Sequence, residues 1–478
     1  MPINNNYKLK LNWLLYLSIF FTHSCKKLVS IREPVDTITT NEAFGTEDQA
    51  NSAIVGIYSS MNYNSQLPNF ANGAITIYTG MSSDELIIFA STGIDYTSIQ
   101  NNTLQSNNGV ITTFFWTPAY KYIYQANAAI AALPLSTGVR DSVRTELISE
   151  AKLIRAFNYF YLINLFGDVP LILTTDYNKT SLLPRASTDL VYQQIIADLK
   201  DAKTGLPADF SVSNGERIRP NRWAATALLA RVYLYMENWK DAEAEAASTI
   251  LNTTLFSLEP DLKKVFSKNS PESIWQLQQN PSRYIMYNTT MEGYSFIPID
   301  QSTAPSFYLT QGLLNEFEPT DQRRYQWISS STTKPDSITY YYPYKYQTGK
   351  PDTKEDGNVS EYYTILRLAE QYLIRAEARA RQNDISGAKA DIDTIRHRAG
   401  LGNTSANTLP DILKEIAHER QIELFSEWGH RWLDLKRTKK ATEVLATIKP
   451  QWNENAQLYP IPFVELQVDP NLTQNKGY

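Results

Sequence analysis

The sequence predicts a mostly all-α protein in which tetratricopeptide-like helical hairpins form a superhelical scaffold that carries a large irregular, loop-rich insertion. Three observations predict it. Residues 221–251, NRWAATALLARVYLYMENWKDAEAEAASTIL, place Ala225, Leu229, Val232, Tyr233 and Met236 on one helical face, break at Glu237-Asn238-Trp239, and restart with Asn238 as cap and Ala242, Ala246 and Ile250 facing inward. Small side chains in both halves let two antiparallel helices approach closely. The unit then recurs at a constant offset of 146, with Ala230 on Ala376, Asn238 on Asp384 and Ala242 on Ala388. A hairpin of this kind cannot bury its apolar face alone, so such units must stack. Finally, residues 280–346 hold 14 aromatics in 67 positions, interleaved with Pro, Asn, Gln and Asp. That composition suits neither a simple helix core nor disorder, and a long insertion of this sort points to function.

In chain order, Lys8 and Lys10 precede an 11-residue apolar run, Leu11 to Phe21. It is too short for a spanning helix of about 20 residues and suits a signal-peptide core. Thr22-His23-Ser24-Cys25 resembles a lipoprotein processing site, with Thr22 where a Leu-like residue is usual. Residues 1–24 are therefore expected to be a signal peptide, and 25–45 a lipidated Cys25 followed by a polar tether. Thr46-Glu47-Asp48-Gln49 fits a capping box and opens a helix with Ala50, Ile54, Ile57, Tyr58 and Met61 on one face. Between Asn62 and Thr112 the period fades into Asn, Ser, Thr and Gly, which predicts loop. Helices resume from Phe115 and from Ser149, the second ending at Gly167, and again over 189–206. Arg155 stands among large apolar residues, so its guanidinium needs a partner. The scaffold is expected over 46–252 and 360–438, the loop-rich ligand-side insertion over 253–359, and an extended tail over 439–478, all in one domain from 46 to 478.

Composition removes several function classes. The net charge is −5, with 45 basic and 50 acidic residues and no basic block, which argues against nucleic-acid binding. The one cysteine, Cys25, leaves none for catalysis or a zinc cluster. His418-Glu419 begins like a zinc-protease helix, but Ile422 stands where the second histidine belongs. Glu419, Glu423 and Glu427 at i, i+4 and i+8 suggest the acids of a helical glycosidase, yet nearby arginines favour a charge-paired face, because pairing lowers the pKa that an acid catalyst needs raised. No metal or cofactor is expected, and no enzymatic activity.

The segment HERQIELFSEWGHRWLDLKR carries Glu419, Arg420, Glu423, Leu424, Glu427, Gly429, Arg431, Asp434, Leu435 and Arg437 in the pattern of the SusD/RagB outer-membrane lipoproteins. EAKLIRAFNYFYLINLFGDVPLI from Glu150, the tail LYPIPFVELQVDPNLTQNKGY and the lipoprotein start are similar too. Asp469 stands where Asn is usual, and Lys476 where Pro is usual. The resemblance implies a non-catalytic, lipid-anchored nutrient-binding protein on the outer membrane, surface-exposed, that captures an oligosaccharide, or in some members a peptide, and delivers it to a SusC-like TonB-dependent transporter. A rival reading is a tetratricopeptide-type envelope scaffold that binds the transporter and no nutrient. The family has no fixed ligand motif, so candidate site residues come from composition: Tyr96, Tyr287, Tyr294 and Trp327 for stacking on sugar faces, Asp84 and Asn102 for hydroxyls.

Overall fold

Cap and turn chemistry sets where the repeat helices begin and end. A computed structural model describes residues 40–62, 67–89, 93–279, 288–353 and 359–478. In the first unit the Asn221 side chain accepts from the N–H groups of Trp223 and Ala224 and opens the helix Arg222–Tyr235, and Asn238 accepts from Asp241 N–H and opens Trp239–Ile250. In the second unit Leu368–Arg381 is followed by Ile385–Arg398, with Asp384 accepting from Gly387 N–H. Equivalent turn residues Glu237 and Asn383 both take left-handed φ, 57° and 66°. The caps after them coincide, at φ −85°, ψ 75° and φ −83°, ψ 75°. The offset of 146 is therefore a structural equivalence, and the helix Trp239–Ile250 stacks directly on Leu368–Arg381. Ala230, Ala242, Ala376 and Ala388 are fully buried in these contacts.

The other long helices pack on one another in turn: Glu47–Met61 on Thr117–Ala132, that helix on Asp141–Phe166, then Thr188–Gly205, then the first repeat. Thr46 caps the first as expected, although the Gln49 amide oxygen takes the Thr46 hydroxyl rather than its backbone N–H. Gly167, at φ 73°, closes Asp141–Phe166. Arg155 has the partner its burial demands: Asp198 accepts from Nε at 2.8 Å and Nη2 at 2.7 Å, and Asn127 accepts from Nη1. One hydrophobic cluster runs from Phe44 to Ile461 and includes Phe266 and Trp327 of the insertion, so insertion and scaffold share a core.

Several expectations need correction. The stretch expected as loop contains the helix Ala74–Ser82, the strand Leu86–Ile88 and the helix Ile94–Gln100. Every residue of Ala74–Ser82 is buried, so it has no polar face and no period to read. The insertion is rooted by a wholly buried antiparallel pair, Ser273–Leu277 with Tyr363–Arg367. It also contributes Phe307–Leu309, which pairs with Leu86–Ile88, and a hairpin of Ile328–Thr332 with Thr339–Pro343. The segment 411–437 is two helices, Leu409–Glu423 and His430–Arg437, and Glu427 lies in the turn between them. The tail is not extended throughout: it forms the short helices Ala441–Leu445 and Phe463–Val468, and the stretch between them buries Tyr459 and Ile461. The signal peptide, Cys25 and most of the tether lie outside the described residues.

Candidate functional site

The glutamate row forms the centre of a buried ion network, not a catalytic set. Arg323 Nη1 donates to Glu419 at 3.0 Å and Glu423 at 3.1 Å, and its Nη2 donates to Asp321 at 2.7 Å. Arg367 donates to Glu423 at 2.6 Å, to Glu427 at 2.7 Å and to Glu272 at 2.9 Å. Arg398 donates to Glu423 and Glu272, and Lys345 to Glu427. Burial alone would push the Glu423 carboxyl up, but Arg398, Arg367 and Arg323 together hold it well below the ordinary carboxylate range. A group held ionised in this way is no general acid. Glu415, His418 and Glu419 offer ligand atoms within 4.8 Å of one another. Arg396 Nη1 donates to both glutamates, at 3.0 and 3.2 Å, so a cation already stands between them.

Three sequence candidates are engaged in the fold itself. Trp327 is fully buried, its indole N–H donates to Leu262 O at 2.8 Å, and the Lys345 ammonium sits 4.7 Å from its ring. It is a core ring and offers no face to a ligand. Asp84 holds Arg431 with both carboxylate oxygens, at 2.8 and 2.7 Å. Asn102 is buried at a left-handed φ of 57°, where it serves a turn. Tyr287 lies outside the described residues. Tyr96 and Tyr294 are half-buried: Tyr96 packs 6.0 Å from Tyr78, and Tyr294 lies under the Lys350 ammonium at 5.3 Å.

What the fold brings together is a row of partly exposed rings that composition did not single out. Leu86–Ile88 pairs with Phe307–Leu309 so that Ile87 faces Tyr308, and Phe89 N–H continues the ladder to Ser306 O at 3.0 Å. Phe89 is 46% exposed and meets Tyr340 edge-on at 5.2 Å. Tyr340, on the hairpin opposite Ser331, meets half-buried Tyr308 at 5.0 Å. Burial and the neighbouring Tyr340 push the Tyr308 hydroxyl up, so it stays protonated and can donate. Lys350 Nζ donates to Ser306 Oγ at 3.1 Å, which ties Tyr294 to the same surface. Two of these rings, Tyr308 and Tyr340, belong to the aromatic-rich stretch, whereas Phe89 ends an apolar run, Leu86 to Phe89, and only pairing with the insertion shows its role.

A groove of about 920 Å³ lies elsewhere, between the helices Leu409–Glu423 and His430–Arg437. Ion-paired side chains such as Asp434, Arg437 and Glu377 line it, and no Phe, Tyr or Trp does. A groove lined by ion-paired side chains without aromatic rings lacks the apolar faces that cover sugar rings.

The SusD family description matches residues 331–478, which hold most of the hairpin, the glutamate row of the ion network with Lys345, Arg367 and Arg398, and the tail. A second, described as "Starch-binding associating with outer membrane", matches residues 39–234, the first half of the scaffold. The chain belongs to the SusD/RagB family. It is similar to SusD-like protein P2 of Formosa agariphila, 29% identical over 508 residues that cover 93% of this chain and 95% of that one. A SusD-like protein of Bacteroides ovatus is 27% identical over 364 residues, covering 67% of this chain and 64% of its own. A SusD superfamily structure from Bacteroides vulgatus superposes with TM-score 0.79 at 22% identity over 91% of this chain and all of its own, which establishes the SusD fold. A laminarin-binding SusD-like protein superposes at TM-score 0.75 with 26% identity over 91% of this chain and all of its own. Surface glycan-binding protein A from Bacteroides uniformis shares the fold as well, with TM-score 0.74 at 22% identity over 90% of this chain and 99% of its own.

Proposed function

We propose that this SusD-like protein captures a glycan on the row Phe89, Tyr340 and Tyr308 and delivers it to a SusC-like TonB-dependent outer-membrane transporter. The observation that carries the reading is the exposure of these rings at the meeting of the Leu86–Ile88 strand and the insertion. Ring faces cover the C–H faces of sugars, and the tyrosine hydroxyls fix orientation. Tyr96 and Tyr294 are half-buried candidates for the margin of the same surface. The lipoprotein start supports an anchor at Cys25 on the outer membrane. Among the described residues no helix is long and apolar enough to cross a membrane.

The test is calorimetry of the soluble chain from Lys26 onward against a glycan panel, with Phe89→Ala and Tyr340→Ala alongside. Each variant should weaken binding by about 0.5–1.5 kcal/mol, the scale of one lost aromatic contact, with little change in melting temperature. Unchanged affinity in both would refute the site. Transporter docking without any glycan binding would favour the scaffold reading.

A further inference from the structure

Among the described residues, Lys350 lies at the edge of the aromatic row without an acidic partner. Its ammonium donates to Ser306 Oγ at 3.1 Å and sits 5.3 Å from the Tyr294 ring. Among the described residues it makes no ion pair, and burial alone pulls its pKa down, with no carboxylate acting in the other direction. The acids on the neighbouring segments are engaged locally. Asp352 accepts from Gly349 N–H at 3.0 Å, and Asp300 accepts from the Ser302 N–H and hydroxyl, both at 2.7 Å.

Ser306 directly precedes the strand Phe307–Leu309 and continues its ladder by accepting from Phe89 N–H. Ser306 and Tyr308 are partly exposed while Phe307 and Leu309 are buried, so the Ser306 and Tyr308 side chains share the outward face, about 6–7 Å apart. Tyr308 is the inner ring of the row. The ammonium is therefore on the ring side of the strand, one step from the stack. It has three N–H donors and a single oxygen partner. A partly desolvated cation with unused donors gains more from an anionic oxygen than from a neutral hydroxyl, because only the anion offsets the charge as well as filling the donor.

We infer that the glycan taken by this site is anionic, with a carboxylate or sulfate ester on or next to the sugar that stacks on Tyr308 and Tyr340, held by Lys350. This rests on the glycan-binding reading above and names its substrate class. The chemistry separates it from a site for a neutral glucan.

The experiment measures the full soluble chain against oligogalacturonate, a sulfated carrageenan oligosaccharide and a neutral laminari-oligosaccharide, by calorimetry at low and high salt. The variants are Lys350→Met, Lys350→Arg and Tyr340→Ala, each checked by thermal melting. The expected result is tighter binding of an anionic probe, weakened by salt. Lys350→Met should lose about tenfold of that affinity, and Lys350→Arg should keep most of it. Whether the uronate or the sulfate is preferred identifies the anion. Binding of the neutral probe at least as tight as both anionic probes overturns the inference, as does full anionic affinity in Lys350→Met or the binding of neither anionic probe. Tyr340→Ala separates the two claims: if it leaves binding intact, the aromatic site itself is wrong.

Discussion

Replacing Glu423 by Gln tests the view that the signature glutamates hold the fold and perform no chemistry. Glu423 is fully buried and takes Arg323, Arg367 and Arg398 on its two oxygens. The amide keeps the shape and removes one negative charge from among three guanidinium groups. Breaking a buried pair from one side costs about 3–5 kcal/mol, because the charge left behind is uncompensated. Here each arginine keeps another carboxylate: Arg323 has Asp321 and Glu419, Arg367 has Glu272 and Glu427, and Arg398 has Glu272. The lower end of the range is therefore expected. With about 2.1 cal/mol/K of unfolding entropy per residue over roughly 420 residues, that corresponds to a melting temperature lower by about 3–4 °C. The sign of the pH dependence is also fixed. Glu423 has a depressed pKa in the fold, so its stabilisation is present above the unfolded carboxyl value of about 4.3 and is lost as pH falls below it. The gap between wild type and variant should be full at pH 7 and should narrow steadily as pH falls below about 4.3. Differential scanning calorimetry at pH 7 and pH 3, with glycan binding measured at 25 °C, is the assay. An unchanged melting temperature at pH 7, or a gap that does not narrow between pH 7 and pH 3, would refute the electrostatic account. Lost binding in a folded variant would show that the network reaches the ligand.

Two further perturbations separate core from surface and acid from base behaviour. Trp327→Ala should lower stability by about 3–5 kcal/mol, the cost of emptying a buried aromatic site, while the folded fraction keeps its glycan affinity in a titration below the melting transition. Glu292 has the opposite linkage to Glu423: burial pushes its carboxyl up to about 8, against hydrogen bonds from Thr76 and Tyr363, with Glu427 adding to the rise and Lys345 opposing it. Its contribution is full below about pH 4.3 and is lost as pH rises through about 8, so Glu292→Gln should flatten the fall in melting temperature across that window. A slope equal to that of wild type would show that the carboxyl is not the titrating group.

The helices were legible where local chemistry writes them. Asn221, Asn238 and Asp384 are caps whose function needs only the next three residues, and the Ala positions at an offset of 146 report close packing directly. Arg155 was legible as paired because a buried guanidinium has no other stable state, although the sequence could not say that Asp198 was its partner. The ligand side was illegible for a matching reason. Ala74–Ser82 is apolar all round, and the insertion strands run only three to five residues, so neither leaves a periodic trace.

The sequence by itself determined the helical scaffold, its repeat, the ionic character of the signature and the concentration of rings in the insertion, because each follows from spacing or composition within a short stretch. Only the tertiary structure decided which rings face outward. Trp327 and Tyr340 come from the same aromatic stretch, yet one is sealed beneath Lys345 and the other meets Phe89 from more than two hundred residues away. Exposure is a property of what packs on a residue, and for an aromatic side chain, equally at home in a core and on a sugar face, nothing local records the difference.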